Sequence, residues 1–220
     1  MAKRVAVVLS GCGYLDGAEI YEATLALLAL DLGGAKVRCF APSKPQMHVM
    51  HHAMQAVLVG EVRNVLTEAS RLARRKIEPL DDLRIEDIDA VVFPGGFGVA
   101  KNLCDYAIKG VSCSVDPLVE ALIRDAHGAN KPICAICIAP VMVARVLGEA
   151  HHPQLTIGSD AVTAGHIEAM GGRHVESMPT GIVVDEENRI VSTPAYMCDA
   201  GIAEVWAGVG KAIEKMLSMA

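Results

Sequence analysis

Four short β-branched runs constrain this chain more than any other feature: residues 4–10 (RVAVVLS), 36–40 (KVRCF), 89–93 (DAVVF) and 131–136 (KPICAI). Apart from Lys36 and Arg38 in the second and polar residues at the ends of the others, they are apolar runs, and each leads into a turn of Gly, Pro or Cys. Strands of that kind are buried on both faces, which requires a largely parallel sheet covered by helices. The segments between them supply the helices. Residues 18–32 place Ile20, Ala23, Leu27, Leu28 and Leu30 at helical spacing, with Glu19 and Glu22 in the first turns and Gly33-Gly34 as the stop. Further helices are predicted over 64–76, 115–130 (Pro117 in its first turn), 139–147, 161–170 and 199–219. Residues 181–184 and 189–193 read as a hairpin around 185–188. Residues 45–60 are rich in Met and His without a period. The pattern predicts one domain over residues 1–220, a doubly wound α/β sandwich with helices on both faces of a mostly parallel sheet.

Composition narrows the function classes. With only 3 Phe, 4 Tyr and 1 Trp, the core must be built from Val, Ile, Leu, Ala and Met. A net charge of −6 argues against non-specific nucleic-acid binding. No apolar run reaches the 18 or so residues of a membrane span. The 7 Cys follow no secreted-scaffold spacing, so a reducing compartment is expected: the cytoplasm, or the mitochondrial matrix for a eukaryotic chain relieved of its transit peptide.

Ligands of doubly wound sheets bind beyond the carboxyl ends of the strands. Three segments fall there: 10–17, 94–98 and 137–140. At the last, Cys137 stands between a strand and a helix, with small residues two before and two after it (Ala135 and Ala139) and Pro140 in the first helical turn. A nucleophile on a sharp strand-to-helix turn needs such small neighbours, and the helix N-terminus is expected to lower its thiol pKa. The glycines of Phe93-Pro94-Gly95-Gly96-Phe97-Gly98 let a backbone N–H turn toward a ligand oxygen.

Other signals carry less. Gly11-Cys12-Gly13 is no dinucleotide fingerprint, since Asp16 stands where its last glycine belongs. Cys134-x-x-Cys137 has redox spacing, but Cys134 falls inside a strand. His48, His51 and His52 have helical ligand spacing without a second cluster, so no metal site is expected. His166 and Glu168, two apart on a helix, point to different faces and do not make a catalytic pair.

The segments SGCGYLDGAEIYEA, EVRNVLTEASRLAR, FPGGFGVAKNL, CIAPV, LTIGSD and TPAYM together resemble the ElbB family. These are isoprenoid biosynthesis proteins with an amidotransferase-like domain, within the class I glutamine amidotransferase / PfpI superfamily. The resemblance covers essentially the whole chain. It implies a flavodoxin-like fold with a reactive Cys at the elbow, here Cys137. It also implies a first-helix Glu hydrogen-bonded to that Cys, placed at Glu22 rather than Glu19 by counting back from Gly34. The oxyanion-hole amides it implies are those of Gly96 and Ile138. Candidate pocket residues on the matching loops are Ser10, Gly11, Cys12 and Asn102. Two departures stand out: intracellular-protease relatives carry His where Ile138 stands, and parkinsonism-associated relatives carry His where Gly158 falls. A Cys-His-Glu triad is therefore not visible.

The activity implied is glutathione-independent conversion of methylglyoxal or glyoxal to 2-hydroxy acids through a Cys137 hemithioacetal, with no cofactor, in a homodimer. The alternatives are a Cys-based redox or metabolite sensor, or an amidotransferase-like subunit that needs a partner. A small dicarbonyl substrate is expected, with no nucleic-acid or membrane partner.

Overall fold

The computed structural model describes residues 2–220. Its main sheet contains β1 (Arg4–Val8), β2 (Lys36–Ala41), β3 (Ile77–Pro79), β4 (Ala90–Phe93), β5 (Ile133–Ile136), β6 (Val183–Asp185) and β7 (Ile190–Thr193). Their order across the sheet is β6-β7-β5-β4-β1-β2-β3. Every pairing is parallel except the β6–β7 hairpin at one edge. From β1 the chain moves outward through β2 and β3, then returns to β1's other side as β4. That reversal is the switch point of a doubly wound sheet, and the crevice beyond the carboxyl ends of β1 and β4 is the expected ligand site.

The parallel register explains why the strands are apolar on both faces. Cys39, Val7, Val92, Cys134 and Val191 line up across five strands. All five are buried on one face of the sheet. That face is covered by α1 (Ile20–Leu32) and the last helix, Ile202–Met219, with α2 (Val65–Leu72) beside them. Alanines 23, 26 and 29 on α1 let it approach closely, as composition required. The opposite face, with Phe93, Ala135 and Ile133, packs against α3 (Pro117–Gly128) and α4 (Ala139–His151). α5 (Ala161–Ala169) packs beside α4, and Ile202–Met219 is α6.

Three elements were not legible from pattern. β3 is three residues long, ends in Pro79 and pairs on one side only, which suits an edge and carries no periodic signal. Residues 45–60 contain a small hairpin, Met50–His51 with Ala56–Val57. Gln154–Leu155 pairs in parallel with Arg173–His174 in a separate two-stranded sheet. After β4, Val99–Leu103 winds as a π-type helical turn, a form that often marks functional positions.

Candidate active site

Cys137 occupies the turn between β5 and α4 with φ 62°, in the left-handed region that a non-glycine residue adopts only when its surroundings impose it. Two hydrogen-bonded neighbours fix it. Its N–H donates to the Thr193 carbonyl of β7 at 2.9 Å. Its sulfur is hydrogen-bonded to the Glu22 carboxyl and faces the N–H groups of Gly96 and Ile138. Ala135 and Ala139 are fully buried on either side, and a larger side chain at either position would crowd the turn.

Glu22 is fully buried in the first turn of α1. Its Oε2 accepts from the Gly95 N–H at 3.0 Å and its Oε1 from the Tyr196 N–H at 3.2 Å. Both donors come from turns that permit this only by close backbone approach. A Cβ on Gly95 would lie 2.3 Å from Cys137 Cβ and 2.5 Å from Glu22 Oε2, so no other residue fits. Ala195, just before Tyr196, is held at φ 45°. Glu19 is the N-cap of α1 and accepts from the Glu22 N–H at 2.7 Å.

Burial and the neighbouring Glu19 raise the Glu22 carboxyl to about 8, against an ordinary 4.5, although the Tyr196 and Gly95 donors and Cys137 oppose the shift. Glu22 is therefore chiefly protonated at neutral pH. Burial also pushes the Cys137 thiol well above its ordinary value, an ionised Glu22 adds to this, and the Gly96 and Ile138 N–H groups pull the other way. This corrects the expectation that the helix N-terminus would lower the thiol pKa. At 7% exposure the cost of desolvation exceeds the half-charge of a helix end. The pair shares its protons rather than presenting a free thiolate. Cys12 and Cys198 are more exposed than Cys137, so exposure does not single out the elbow thiol.

The sulfur opens into a cavity of about 350 Å³ bounded by Tyr14, Phe97, Tyr106, Tyr196 and Met197, with Glu19 and Asp160 at its polar margins. Gly96 and Ile138 line it as well, whereas Ser10, Gly11, Cys12 and Asn102 do not. This corrects their assignment to the pocket. Asn102 is a buried clamp: its Nδ2 donates to the carbonyls of Ser10 and Asp16 at 2.8 Å each, and its Oδ1 accepts from the Met47 N–H at 3.0 Å. These bonds draw the 10–17 loop and the Met- and His-rich segment together beneath the site. Asp16 Oδ2 reinforces this by accepting from the Met50 N–H at 2.7 Å. His52 leans on the same loop, 3.7 Å from Asp16 Oδ1.

Cys134 lies within β5 in the five-strand row, and burial pushes its thiol up to about 12. No His among the described residues lines the cavity. A side chain at Gly158 would meet Cys198 Sγ at 2.7 Å and Pro194 Cβ at 3.2 Å, so this fold leaves no room for a triad histidine there. His166 pairs with the cavity's Tyr106 hydroxyl at 2.8 Å, while Glu168 accepts from the His174 N–H, so the two do face apart. Tyr196, Tyr106 and Asp160 were not anticipated as site residues. The Thr193-Pro194 turn at the end of β7 was the available signal for the first, whereas the other two are assembled by loops.

Three comparisons agree with this architecture. The model of the DJ-1/PfpI family matches residues 3–195. The human glutamine amidotransferase-like class 1 domain-containing protein 3, mitochondrial, is 44% identical over 99% of this chain and 84% of its own length. The zebrafish (Danio rerio) ES1 protein, mitochondrial, is 32% identical over 98% and 85%. The crystal structure of an isoprenoid biosynthesis protein with amidotransferase-like domain from Ehrlichia chaffeensis superposes with a TM-score of 0.93 at 38% identity, covering 99% of both chains.

Two outcomes follow from this geometry. Glu22 in the folded chain holds its proton up to about pH 8, whereas an unfolded one releases it near 4.5. The native state thus binds the extra proton between those values, and stability contributed by this group falls as pH rises through the window. Denaturant midpoints at pH 5, 6.5 and 8 should fall for wild type and lose that component of the slope in Glu22→Gln. An identical slope in both would place the carboxyl's pKa near its ordinary value. Asn102→Ala should cost ~1–3 kcal/mol by leaving buried partners unpaired, with the rate of Cys137 alkylation retained. Full stability with altered Cys137 reactivity would return Asn102 to the pocket.

Proposed function

The chain belongs to the DJ-1/PfpI family, and we propose that it is a cofactor-independent, glutathione-independent glyoxalase acting on 2-oxoaldehydes such as methylglyoxal. The observation that carries this reading is the buried Cys137–Glu22 pair set against two backbone N–H groups, with no histidine among the described residues lining the cavity. Amide cleavage needs a base that activates the nucleophile and an acid that protonates the departing amine. Rearrangement of an oxoaldehyde needs neither a departing amine nor an external oxidant, because one carbon is oxidised as its neighbour is reduced.

In the proposed sequence Cys137 Sγ bonds to the aldehyde carbon. The thiol proton passes through the Glu22 carboxyl to the new alkoxide, giving a neutral hemithioacetal. Because the proton moves with the attack, an elevated thiol pKa is compatible with the step. The Gly96 and Ile138 N–H groups stabilise the developing oxyanion. The neutral Glu22 carboxyl would then give its proton to the ketone oxygen as it takes the hydrogen of the former aldehyde carbon, forming an enediol, and would protonate the adjacent carbon as it takes back the proton of the hydroxyl on the sulfur-bearing carbon. The product of that transfer is a 2-hydroxyacyl thioester. Water cleaves it to the 2-hydroxy acid and regenerates the thiol. The net change is addition of one water to the oxoaldehyde.

The human and zebrafish relatives are named as mitochondrial, and a mitochondrial or other reducing compartment is the setting proposed here. No helix among the described residues is long and apolar enough to cross a membrane. A homodimer is part of the same proposal.

The test is lactate formation from methylglyoxal by purified protein after chelation and removal of small thiols. Wild type should turn over, Cys137→Ala should be inactive, and Cys134→Ala should keep most of its activity. Glu22→Gln should lose about 10²- to 10⁴-fold, the usual contribution of one acid–base group. Inactivity of Cys134→Ala equal to that of Cys137→Ala would replace this reading with a dithiol redox unit. Loss in Glu19→Gln with full activity in Glu22→Gln would move the proton carrier to the cavity-lining acid.

A further inference from the structure

Resting on that reading of the site, we infer that the cavity prefers neutral 2-oxoaldehydes bearing an apolar or aromatic substituent over methylglyoxal, which it still accepts, and disfavours anionic aldehydes. Three observations converge on this class.

The first is size. Methylglyoxal has only five non-hydrogen atoms, whereas a volume of about 350 Å³ lies in the range of pockets that enclose much larger ligands. A methyl group beside the sulfur would leave most of the cavity to water. The second is the wall. Beyond the reacting centre, the lining includes Tyr14, Phe97, Tyr106 and Tyr196, together with Met197. This chain contains only 8 residues of Phe, Trp and Tyr type (3 Phe, 1 Trp, 4 Tyr), so four at one cavity is a concentration that the rest of the core does without. Phe97 remains 50% exposed at the rim, a large apolar surface open to a ligand. Aromatic walls of this kind favour an apolar or ring-bearing substituent through area removed from water and ring-edge contacts.

The third is charge. The carboxylic acids at the cavity are Glu19 and Asp160, and among the described residues no Lys, Arg or His lines it. The nearby Lys101 is held elsewhere: its ammonium donates to the Leu15 carbonyl at 2.7 Å and sits 5.5 Å from the Phe97 ring centre. Asp160 caps α5 and accepts from the Thr163 hydroxyl. A carboxylate or phosphate on the substrate would meet two acids and no counter-charge. The Gly96 and Ile138 N–H groups are not available to it, because they face the sulfur where the reacting oxygen must sit. Neutral substrates avoid this cost.

The experiment has two arms on the full chain. In the first, kcat/KM is measured for phenylglyoxal (as mandelate formed) and methylglyoxal (as lactate formed), in wild type and Phe97→Ala. Apolar contacts of this size discriminate by roughly 10- to 200-fold, so phenylglyoxal should lead by at least about 10-fold, and Phe97→Ala should narrow the gap. In the second, Cys137 alkylation is followed by peptide mass spectrometry with N-benzyl iodoacetamide, iodoacetamide and iodoacetate, each relative to its rate with free N-acetylcysteine. The expected order is benzyl, then unsubstituted, then the anion. This arm needs no turnover. If no aldehyde reacts but the alkylation order holds, the glyoxalase reading fails while the ligand class stands. If methylglyoxal is preferred, or if iodoacetate modifies Cys137 at least as fast as iodoacetamide relative to the free thiol, the inference is overturned.

Discussion

The contact between the Glu22 carboxyl and the Cys137 sulfur organises the rest of the site. A carboxyl with no exposed surface must be satisfied from every side, and each of its partners requires something unusual of the backbone. Gly95 can donate to Glu22 only because it lacks a side chain. The N–H of Tyr196 reaches Glu22 from a turn in which Ala195 is held at positive φ. Cys137 is itself held in the left-handed region between β5 and α4. Strain of this kind persists only where the surroundings over-determine it. Here they do, through the ends of β4, β5 and β7 converging on the first turn of α1.

That convergence has a chemical consequence. Burial that forces the carboxyl to keep its proton near neutrality also disfavours a free thiolate. The site is therefore a proton-sharing dyad rather than a charged pair. At Gly158, where the resemblance puts the histidine of some relatives, Cys198 and Pro194 are packed too closely for one. A dyad of this type suits additions to a carbonyl in which the proton travels with the nucleophile, and it leaves the cavity wall free to be apolar.

The sheet was legible because its central strands, β1, β4 and β5, are buried on both faces, so each carried an apolar signal that a turn then ended. The elbow was legible for the same reason: Ala135, Cys137, Ala139 and Pro140 are local. Glu22 was placed by its distance from the helix stop and by resemblance, not by periodicity, since a buried acid on an apolar face looks in sequence like any acid in a first helical turn. β3 escaped because three residues on an edge carry no period. The pocket itself was misread. Ser10, Gly11, Cys12 and Asn102 sit on the right loops, but the Asn102 amide draws the loop carbonyls inward. The surface that faces the sulfur comes from Tyr14, Phe97, Tyr106 and Tyr196, which are spread over four segments and meet only in three dimensions. The thiol shift was misjudged because a helix end is visible in sequence whereas the depth of burial is not.

The central claim is that Glu22 is a neutral acid in contact with Cys137 at physiological pH. An infrared difference spectrum between wild type and Glu22→Gln at pH 7 tests it directly, since protonated and ionised carboxyl groups absorb at separate, assignable positions. The account requires a protonated carboxyl band in wild type that is missing from Glu22→Gln, shifts when Cys137 is alkylated, and gives way to the carboxylate band as pH passes through about 8. A carboxylate band already fully developed at pH 7 and indifferent to the state of Cys137 would contradict it.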